Sequence, residues 1–507
     1  MKVFSFDNLS AWADSQKSQG LTIAHCHGVF DLLHPGHLTH LREARALADK
    51  LVVTVTSDRH VNKGPGRPVI DELGRATMLA ALEMVDAVTI SDYPSGLSAI
   101  KAIRPDFYVK GPDYKNPSLD LTGNMQLEID ATESAGGSLY LTSGPTMSSS
   151  KIRNDMLLSG EEVGSRFLAR LRESISEEIV NRMFFEISKL KVLVIGEAIL
   201  DTYESCEALG KSSKDPVLAF RKLASESQLG GSLAIARHVA GMGARTTLMT
   251  RVGKGDGTKD RLEFEIGSSV DLIVLESEDE PTIEKTRFVD VLTGNKVFET
   301  YEIGDSRASI RDSENLNAAL SKVVEDFDLV LVADYGHGLL DAHAIRLLSS
   351  KARKLSVNTQ SNAGNRGFNS ISKYPRVDIV CLNGGEVALE LRERHLSMEV
   401  LVPELLERTG AELVAVTSGA NGLVLGLTAS GKPEVEVVPA FTTKVKDRVG
   451  AGDALFAATS VSWVASRNPL LAAVLGNLSG AASIAELGNR VALDKVSLQR
   501  HLTAMLK

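Results

Sequence analysis

Three cysteines in 507 residues, Cys26, Cys206 and Cys381, are too scattered and too few for a disulfide framework or a zinc knuckle. Their odd number and wide spacing fit a reducing compartment. Basic residues are in deficit as well. Lys and Arg total 56 against 65 Asp and Glu, a net charge of −9. That balance excludes a nucleic-acid coat and a polybasic membrane surface, while a local basic pocket is still allowed. No apolar run approaches the roughly 18 residues of a membrane span. The first residues, MKVFSFDNLSAWADSQ, carry neither the basic nor the apolar region of a secretory signal. These absences point to a cytoplasmic protein with no membrane partner and no nucleic-acid partner. Internal repeats and low-complexity tracts are missing too.

What is present is an ordinary globular composition, 43% apolar and 24% charged, on a chain too long for a single core. Residues from 20 to 155 alternate short β-rich runs with helical patterns. Strands are expected at Leu21–His25, Leu51–Thr56, Ala87–Ile90, Phe107–Lys110 and Ser138–Leu141, with a helix over Glu72–Val85. Alternation of this kind predicts a parallel sheet with crossover helices. A charged stretch bearing Leu and Ile, residues 156–188, reads as a connecting helix whose apolar face packs on either domain or on a second subunit. A second alternating series begins at Lys191 and runs through Thr246–Thr250, Leu329–Ala333, Leu355–Asn358, Ile379–Leu382 and Leu413–Thr417. Lys211–Phe220 and Glu284–Tyr301 read as added β structure, a small lid. The expected division is 1–155, a helical linker 156–188, and 189–507.

The segment GVFDLLHPGH, Gly28 to His37, sets two imidazoles, His34 and His37, on a strand-to-helix turn. There they face the positive end of a helix, which is how an anion site is built. Gly28 and Gly36 permit close approach of backbone and ligand. Lys63 and Arg67 follow the next strand on a flexible loop, in NKGPGR. Lys110 opens KGPDY after a later strand. TMSSSKIR places Ser148, Ser149, Ser150 and Arg153 at another helix start. Each element lies just beyond a strand, where open α/β sheets bind ligands. Cationic and donor groups gathered around a phosphate suit nucleotidyl transfer, which needs charge stabilisation rather than an enzyme nucleophile. His25, His27 and His40 lie close by. A zinc site is the rival reading, but only Cys26 adds a ligand at suitable spacing. Packing or substrate-side roles fit these three better.

Together these motifs resemble the HxGH nucleotidyltransferase superfamily, and within it the cytidylyltransferase-like branch, over residues 20–155. The resemblance implies that His34 and His37 stabilise the transition state. It implies that Gly28, Phe30, Lys63 and Arg67 hold the nucleotide, and that Ser148, Ser149, Ser150 and Arg153 close over it, with ATP or CTP as donor. HPGH with TMSSSK is also similar to class I aminoacyl-tRNA synthetases, but no basic anticodon-binding domain is visible.

A second phosphate-type motif, DRVGAGD, covers Asp447 to Asp453 and precedes the apolar pattern ALFAATSVSWVA. Glycines free backbone N–H groups to face a phosphate, and an aspartate at a helix start can accept a hydroxyl proton. Taken alone, such a loop could be a helix cap. Asn383-Gly-Gly-Glu386 after one strand and Thr417-Ser-Gly-Ala-Asn-Gly422 after the next make nucleotide handling the better reading. Asp201 ends the first strand, and Gly230-Gly231 precede a helix.

Residues 190–500 resemble the ribokinase-like (PfkB) sugar kinases. That resemblance implies Asp453 as catalytic base and Gly450, Ala451 and Gly452 as anion hole. It implies Thr417, Gly419 and Gly422 at the nucleotide, Asn383 and Glu386 as indirect supports for Mg²⁺, and Asp201, Gly230 and Gly231 at the sugar. Asp334-Tyr-Gly-His-Gly338 matches another family stretch. ATP, Mg²⁺ and a monovalent cation are the implied cofactors, and a homodimer the implied assembly. Two positions depart from the family. GGSLA carries Ala234 where an Asn is usual, and Asn358 stands for the usual Asp. A buried hydroxyl contact of this kind is worth roughly 1–3 kcal/mol, enough to change sugar preference.

The combined expectation is an α/β chain with an N-terminal Rossmann-like nucleotidyltransferase fold and a C-terminal ribokinase-like fold with a β lid. Such a pair suggests consecutive steps: phosphorylation of a sugar at its anomeric hydroxyl, then transfer of NMP to a sugar 1-phosphate. The pair resembles the bifunctional heptose-phosphate kinase and nucleotidyltransferase family of bacterial surface-polysaccharide synthesis, with the two domains in reverse order. Other readings are a kinase and cytidylyltransferase for another sugar or polyol phosphate, or a transferase whose kinase-like half is regulatory or structural.

Overall fold

Runs such as LVVTVT leave no polar face, so they form strands only where both faces of the sheet are covered. In the computed structural model, which describes residues 2–61, 68–111, 124–143, 162–304, 309–429, 431–441 and 445–506, this holds for the central strands of the six-stranded and nine-stranded sheets. The chain divides into two compact units, Met1–Ser165 with Thr503–Lys507, and Arg166–Leu502.

The first unit holds β1 (Val3–Phe4), β2 (Ile23–Gly28), β3 (Lys50–Thr56), β4 (Ala87–Ser91), β5 (Phe107–Lys110) and β6 (Ser138–Leu141). They pair in the order β1-β4-β3-β2-β5-β6, all parallel. Side chains alternate across the sheet. Ala24, Cys26, Val53 and Val55 pack with Leu41, Ala44 and Leu79 on one face. Ile23, Val52 and Ala87 pack with Leu9, Ala13 and Ile103 on the other. The chain steps outward from β2 through β3 to β4, then returns to the far side of β2 with β5. This reversal opens a crevice at the carboxyl end of β2, where ligands bind in such sheets, and GVFDLLHPGH emerges there. The helix expected over Glu72–Val85 stops at Ala80. Beyond it, Leu82 and Val85 bond three residues back instead of four, so that the chain can turn into β4.

The second unit has a nine-stranded sheet and a separate four-stranded one. The large sheet contains β7 (Lys191–Gly196), β10 (Arg245–Gly253), β11 (Asp271–Ser277), β14 (Leu329–Asp334), β15 (Leu355–Thr359), β16 (Ile379–Asn383), β17 (Leu413–Thr417), β18 (Leu423–Ala429) and β19 (Lys432–Val438). Their order is β11-β10-β7-β14-β15-β16-β17-β18-β19. All pairs are parallel except the final two, β17 with β18 and β18 with β19. The smaller sheet, in the order β13-β12-β8-β9, contains β8 (Ala198–Lys211), β9 (Leu218–Gly231), β12 (Ile283–Asp290) and β13 (Lys296–Glu302). Only Glu197 separates β7 from β8, so the small sheet springs from the carboxyl end of a central strand. The expected β segment Lys211–Phe220 is instead the turn and flanks of a long hairpin, with β8 and β9 of 14 residues each.

The single connecting helix expected over 156–188 is two helices, Glu162–Ser174 and Glu177–Ile187. Ser176 divides them, its hydroxyl accepting from the Ile179 N–H as the N-cap of the second. From Arg166 onward this stretch belongs to the second unit. Val180, Met183, Phe184 and Ile187 are buried, and the second helix packs on Ala451–Ser466. That helix is buried at every residue from Ala454 to Trp463, as expected of one apolar all round.

Gly196 shows how tightly β7 and β14 meet. A Cβ there would collide with the Ala333 carbonyl oxygen. Gly196→Ala is therefore expected to destabilise the second unit by about 1–3 kcal/mol or more, read as a lowered midpoint in urea denaturation.

Candidate active sites

In the first unit the loop after β2 carries backbone strain and is anchored by buried charge. Phe30 and Leu32 adopt left-handed φ values of 52° and 51°, a conformation that costs non-glycine residues energy and clusters at functional sites. Asp31 is buried and accepts N–H bonds from Val69 (2.9 Å) and Ile70 (3.2 Å). Arg75, 1% exposed, donates to the carbonyls of Val29, Thr56 and Ile70 and pairs with Asp58. One guanidinium thereby ties together the exits of β2 and β3.

This frame holds the two histidines. His34 is the N-cap of the helix Pro35–Leu47, its Nδ1 accepting from the His37 N–H at 3.3 Å. The two rings stack, centroids 3.8 Å apart and 17° from parallel. Phe30 flanks His37 at 5.4 Å, and Gly28 lies against the Phe30 ring. Stacked imidazoles at a helix N-terminus present donors where negative charge is favoured. His25 and His27 both bond the Thr54 hydroxyl at 2.8 Å. Burial lowers both, His27 to about 3. Burial also lowers His40, to about 4, and it bonds Thr142. Burial thus disfavours the charged form of all three, and each ring has a threonine hydroxyl partner. Among the described residues no group of three His, Cys, Asp or Glu could hold a metal ion. Lys110 pairs with buried Glu128 at 3.0 Å. Lys63, Arg67, Ser148, Ser149, Ser150 and Arg153 lie outside the described residues.

In the second unit the motifs converge at the carboxyl ends of the parallel strands. Gly450 is the N-cap of the helix Ala451–Ser466, with φ +83°. The first-turn N–H groups of Ala451, Gly452 and Asp453 have no carbonyl to bond within that helix, and the Cβ direction of Gly452 points to open space. A Cβ on Gly450 would collide with the Asn489 side chain. Asn489 in turn donates to Asp201 at 3.2 Å. Gly230 leaves room for that same carboxylate, which occupies the place a Cβ would take, and Gly231 (φ +57°) starts the helix Ser232–Gly241. Asp201, Gly230, Gly231, Gly450 and Asp453 thus form one cluster.

Asp453 is strongly altered by it. Burial pushes its carboxyl up to about 7, with the charges of Asp201 and Glu386 adding to the rise. The Tyr335 hydroxyl, donating at 2.8 Å, and the charge of Lys285 oppose it. Tyr335 belongs to the Asp334–Gly338 stretch, which Glu197 fixes by accepting from the N–H groups of Tyr335 and His337, both at 3.0 Å. Burial and neighbouring Asp334 raise Glu197 to about 6.

Asn383 and Glu386 form a reciprocal capping box at the start of the helix Gly384–Leu391. Glu386 accepts from Asn383 N–H (2.8 Å) and Ser361 N–H (3.0 Å), and burial lifts it to about 7. Its lone pairs remain oxygen donors of the kind Mg²⁺ takes through water and substrate phosphates, without a closed protein cage. Thr417 stands opposite Asn383 in register. Gly419 (φ +58°) and Gly422 (φ +86°) close the turn after it.

Both departures from the family pattern are filled. Ala234 is buried in the first turn of its helix, and Asn358 donates to the Cys381 carbonyl at 2.7 Å. The small sheet adds groups that motif reading did not reach: Arg287 pairs with Asp201, and Lys296 with Asp447. Their only sequence signal was alternation, Lys285 and Arg287 falling on one face of β12.

Known proteins accord with this geometry. The pfkB family carbohydrate kinase pattern matches residues 189–495, more than half of the chain. The chain belongs to the pfkB family of carbohydrate kinases. The cytidylyltransferase-like family matches residues 25–155. The N-terminal part is 49% identical over 115 residues to the bifunctional protein HldE of Methylobacillus flagellatus, covering 22% of this chain and 24% of that protein. It is 41% identical over 135 residues to the HldE of Mesorhizobium japonicum, covering 26% and 25%. Each match thus spans only about a quarter of the relative's length. Phosphofructokinase-2 from Escherichia coli in complex with substrates and products shares the fold, with TM-score 0.51 and 16% identity over 63% of this chain and all of that one. The same enzyme in complex with fructose-6-phosphate gives 0.51 and 15% over the same shares. No helix among the described residues is long and apolar enough to cross a membrane.

Two outcomes are expected. Arg75→Met strips several buried acceptors of their donor and should destabilise the first unit by about 3–5 kcal/mol, measured by denaturant unfolding. Tyr335→Phe removes a bond that favours the Asp453 carboxylate, so the Asp453 titration should move above its wild-type value, followed by ¹³C NMR of labelled aspartate.

Proposed function

We propose that this pfkB-family chain is a bifunctional enzyme of nucleotide-sugar synthesis. Its second unit phosphorylates a sugar from ATP, with heptose 7-phosphate the favoured substrate and the anomeric hydroxyl the acceptor. Its first unit joins a sugar 1-phosphate to NMP from ATP or CTP, releasing pyrophosphate. The observation that carries the kinase half is Asp453, a buried carboxyl pushed up to about 7 in the first turn of the helix whose leading N–H groups are those of Ala451, Gly452 and Asp453. A base near neutrality suits proton removal from a hydroxyl. As the acceptor oxygen bonds to the γ-phosphorus and the bond to ADP breaks, Asp453 takes the hydroxyl proton and the helix N-terminus faces the phosphoryl oxygens. Mg²⁺, arriving on the nucleotide and supported by Asn383 and Glu386, would neutralise phosphate charge.

The transferase half rests on the His34–His37 stack at a helix N-terminus, which would stabilise charge moving onto pyrophosphate. Resemblance of the N-terminal part to HldE proteins supports the heptose assignment. A homodimer in the cytoplasm completes the reading.

The test is to incubate the full chain with Mg²⁺, heptose 7-phosphate and each NTP, and to identify products by mass spectrometry. A sugar bisphosphate is expected with ATP. A nucleotide sugar is expected only from a sugar 1-phosphate, or after a phosphatase removes the distal phosphate. No product from either substrate would sink the reading. Kinase kcat/KM should rise with pH up to about 7 and level off, because only the deprotonated Asp453 accepts the proton. Asp453→Asn should abolish phosphorylation while raising the melting temperature at pH 8. A carboxyl raised on folding weakens the fold progressively from about pH 4, its unfolded value, to about 7, and the amide removes that penalty.

A further inference from the structure

Lys285 is a largely buried lysine whose ammonium no group among the described residues bonds. It lies mid-strand on β12, opposite Asp201 of β8 and Tyr301 of β13, and is 7% exposed. Its Nζ sits 5.4 Å from the Tyr301 ring and 5.8 Å from the Tyr335 ring. Among the described residues its ammonium has these two ring faces but no hydrogen bond and no ion pair. The carboxylates whose charge reaches it, Asp201, Glu197 and Asp453, are each engaged elsewhere. Asp201 is paired with Arg287 and bonded by Asn489. Glu197 accepts two backbone N–H groups, and Asp453 accepts from Tyr335. Its neighbour on the same strand face, Arg287, is thus spent on Asp201, and Lys296 on Asp447.

Setting a lysine this deep strips its ammonium of much of its water, which is costly where no protein group bonds it. Burial indeed presses its pKa downward while the carboxylates hold it up. Such a cost is sustained where the missing partner arrives with the substrate. The two aromatic faces leave the ammonium its N–H bonds to give, and Asp453, the proposed base, shares its field. We propose that Lys285 is a catalytic cation of the kinase unit whose partner is a phosphoryl group, its N–H bonds going to the non-bridging oxygens. The transferring γ-phosphoryl is the source the position favours, since the acceptor hydroxyl must lie at Asp453. A phosphate already on the sugar is the other source of the same chemistry. Lys285 exchanges no proton: the acceptor oxygen bonds to phosphorus, ADP departs, and Asp453 takes the hydroxyl proton. This rests on the kinase reading above and adds a residue from the small sheet to it.

The test uses the full chain with Lys285→Ala and Lys285→Arg. With ATP, heptose 7-phosphate and unphosphorylated heptose, Lys285→Ala should lower kcat by about 10²–10³ for both sugars, the loss typical of one preorganised donor. Lys285→Arg, which keeps the charge, should recover part of that loss. Added ethylammonium should also restore part of it, which a merely structural role would not allow. If instead only the KM for heptose 7-phosphate rises, the partner is the phosphate on the sugar. Binding of ADP with aluminium fluoride, a mimic of the transferring group, needs no sugar and should weaken in Lys285→Ala. Wild-type kinetics and unchanged binding of the mimic in Lys285→Ala would overturn the proposal. So would a loss that amine does not restore, with a lowered melting temperature and unchanged binding of the mimic. A wild-type chain that phosphorylates no sugar yet binds the mimic through Lys285 would instead fault only the sugar assignment.

Discussion

The Asp453 side chain enters a space where the charges of Asp201, Glu197 and Glu386 already meet, and one phenolic hydroxyl donates to it. Placing several carboxylates in one poorly hydrated pocket is unfavourable unless some give up their charge or gain cations. The second unit does both. Glu197, Glu386 and Asp453 are lifted toward neutrality, to about 6, 7 and 7. Arg287 and Lys285 are delivered from the small sheet. The rest of the site follows from that balance. Glycines at 230, 231 and 450 provide the close approach, and Asn489 links Asp201 to the motif loop.

The small sheet therefore lines the candidate site. Its β8–β9 hairpin leaves the large sheet at Glu197 and ends at Gly231, so both ends of that hairpin lie in the candidate site. Lys296 and Tyr203, from β13 and β8, hold Asp447 at the head of the DRVGAGD loop. Burial works against the charge of Asp447, and these two bonds keep it ionised. The loop that presents the N–H groups and the sheet that presents the cations are locked through one carboxylate.

The first unit solves a similar problem with fewer charges. Its histidines sit at a helix start beyond a strained approach, and a buried arginine that binds three carbonyls at once ties down the exits of β2 and β3. His34 caps the helix with the same ring that stacks on His37. Positioning of the pair and folding of the helix are thus one event.

Much of this was legible in the chain. Apolar runs bounded by glycine and aspartate marked the strands within about three residues, with Phe107–Lys110, Ser138–Leu141 and Leu413–Thr417 found as expected, while Leu21–His25 and Thr246–Thr250 ended three residues short of Gly28 and Gly253. The strand-to-helix turn of GVFDLLHPGH and the glycines of DRVGAGD marked the helix starts at His34 and Gly450. These are local properties, decided by side-chain periodicity and by which residues tolerate positive φ. Only the tertiary structure decided that Ser176 would break the 156–188 stretch and that Lys211–Phe220 would be a hairpin end. It alone showed Asn383 and Glu386 capping each other, and brought Arg75, Lys285 and Arg287 to the sites. Protonation and pairing depend on burial and on charges contributed by strands far apart in sequence, and no local pattern encodes those distances.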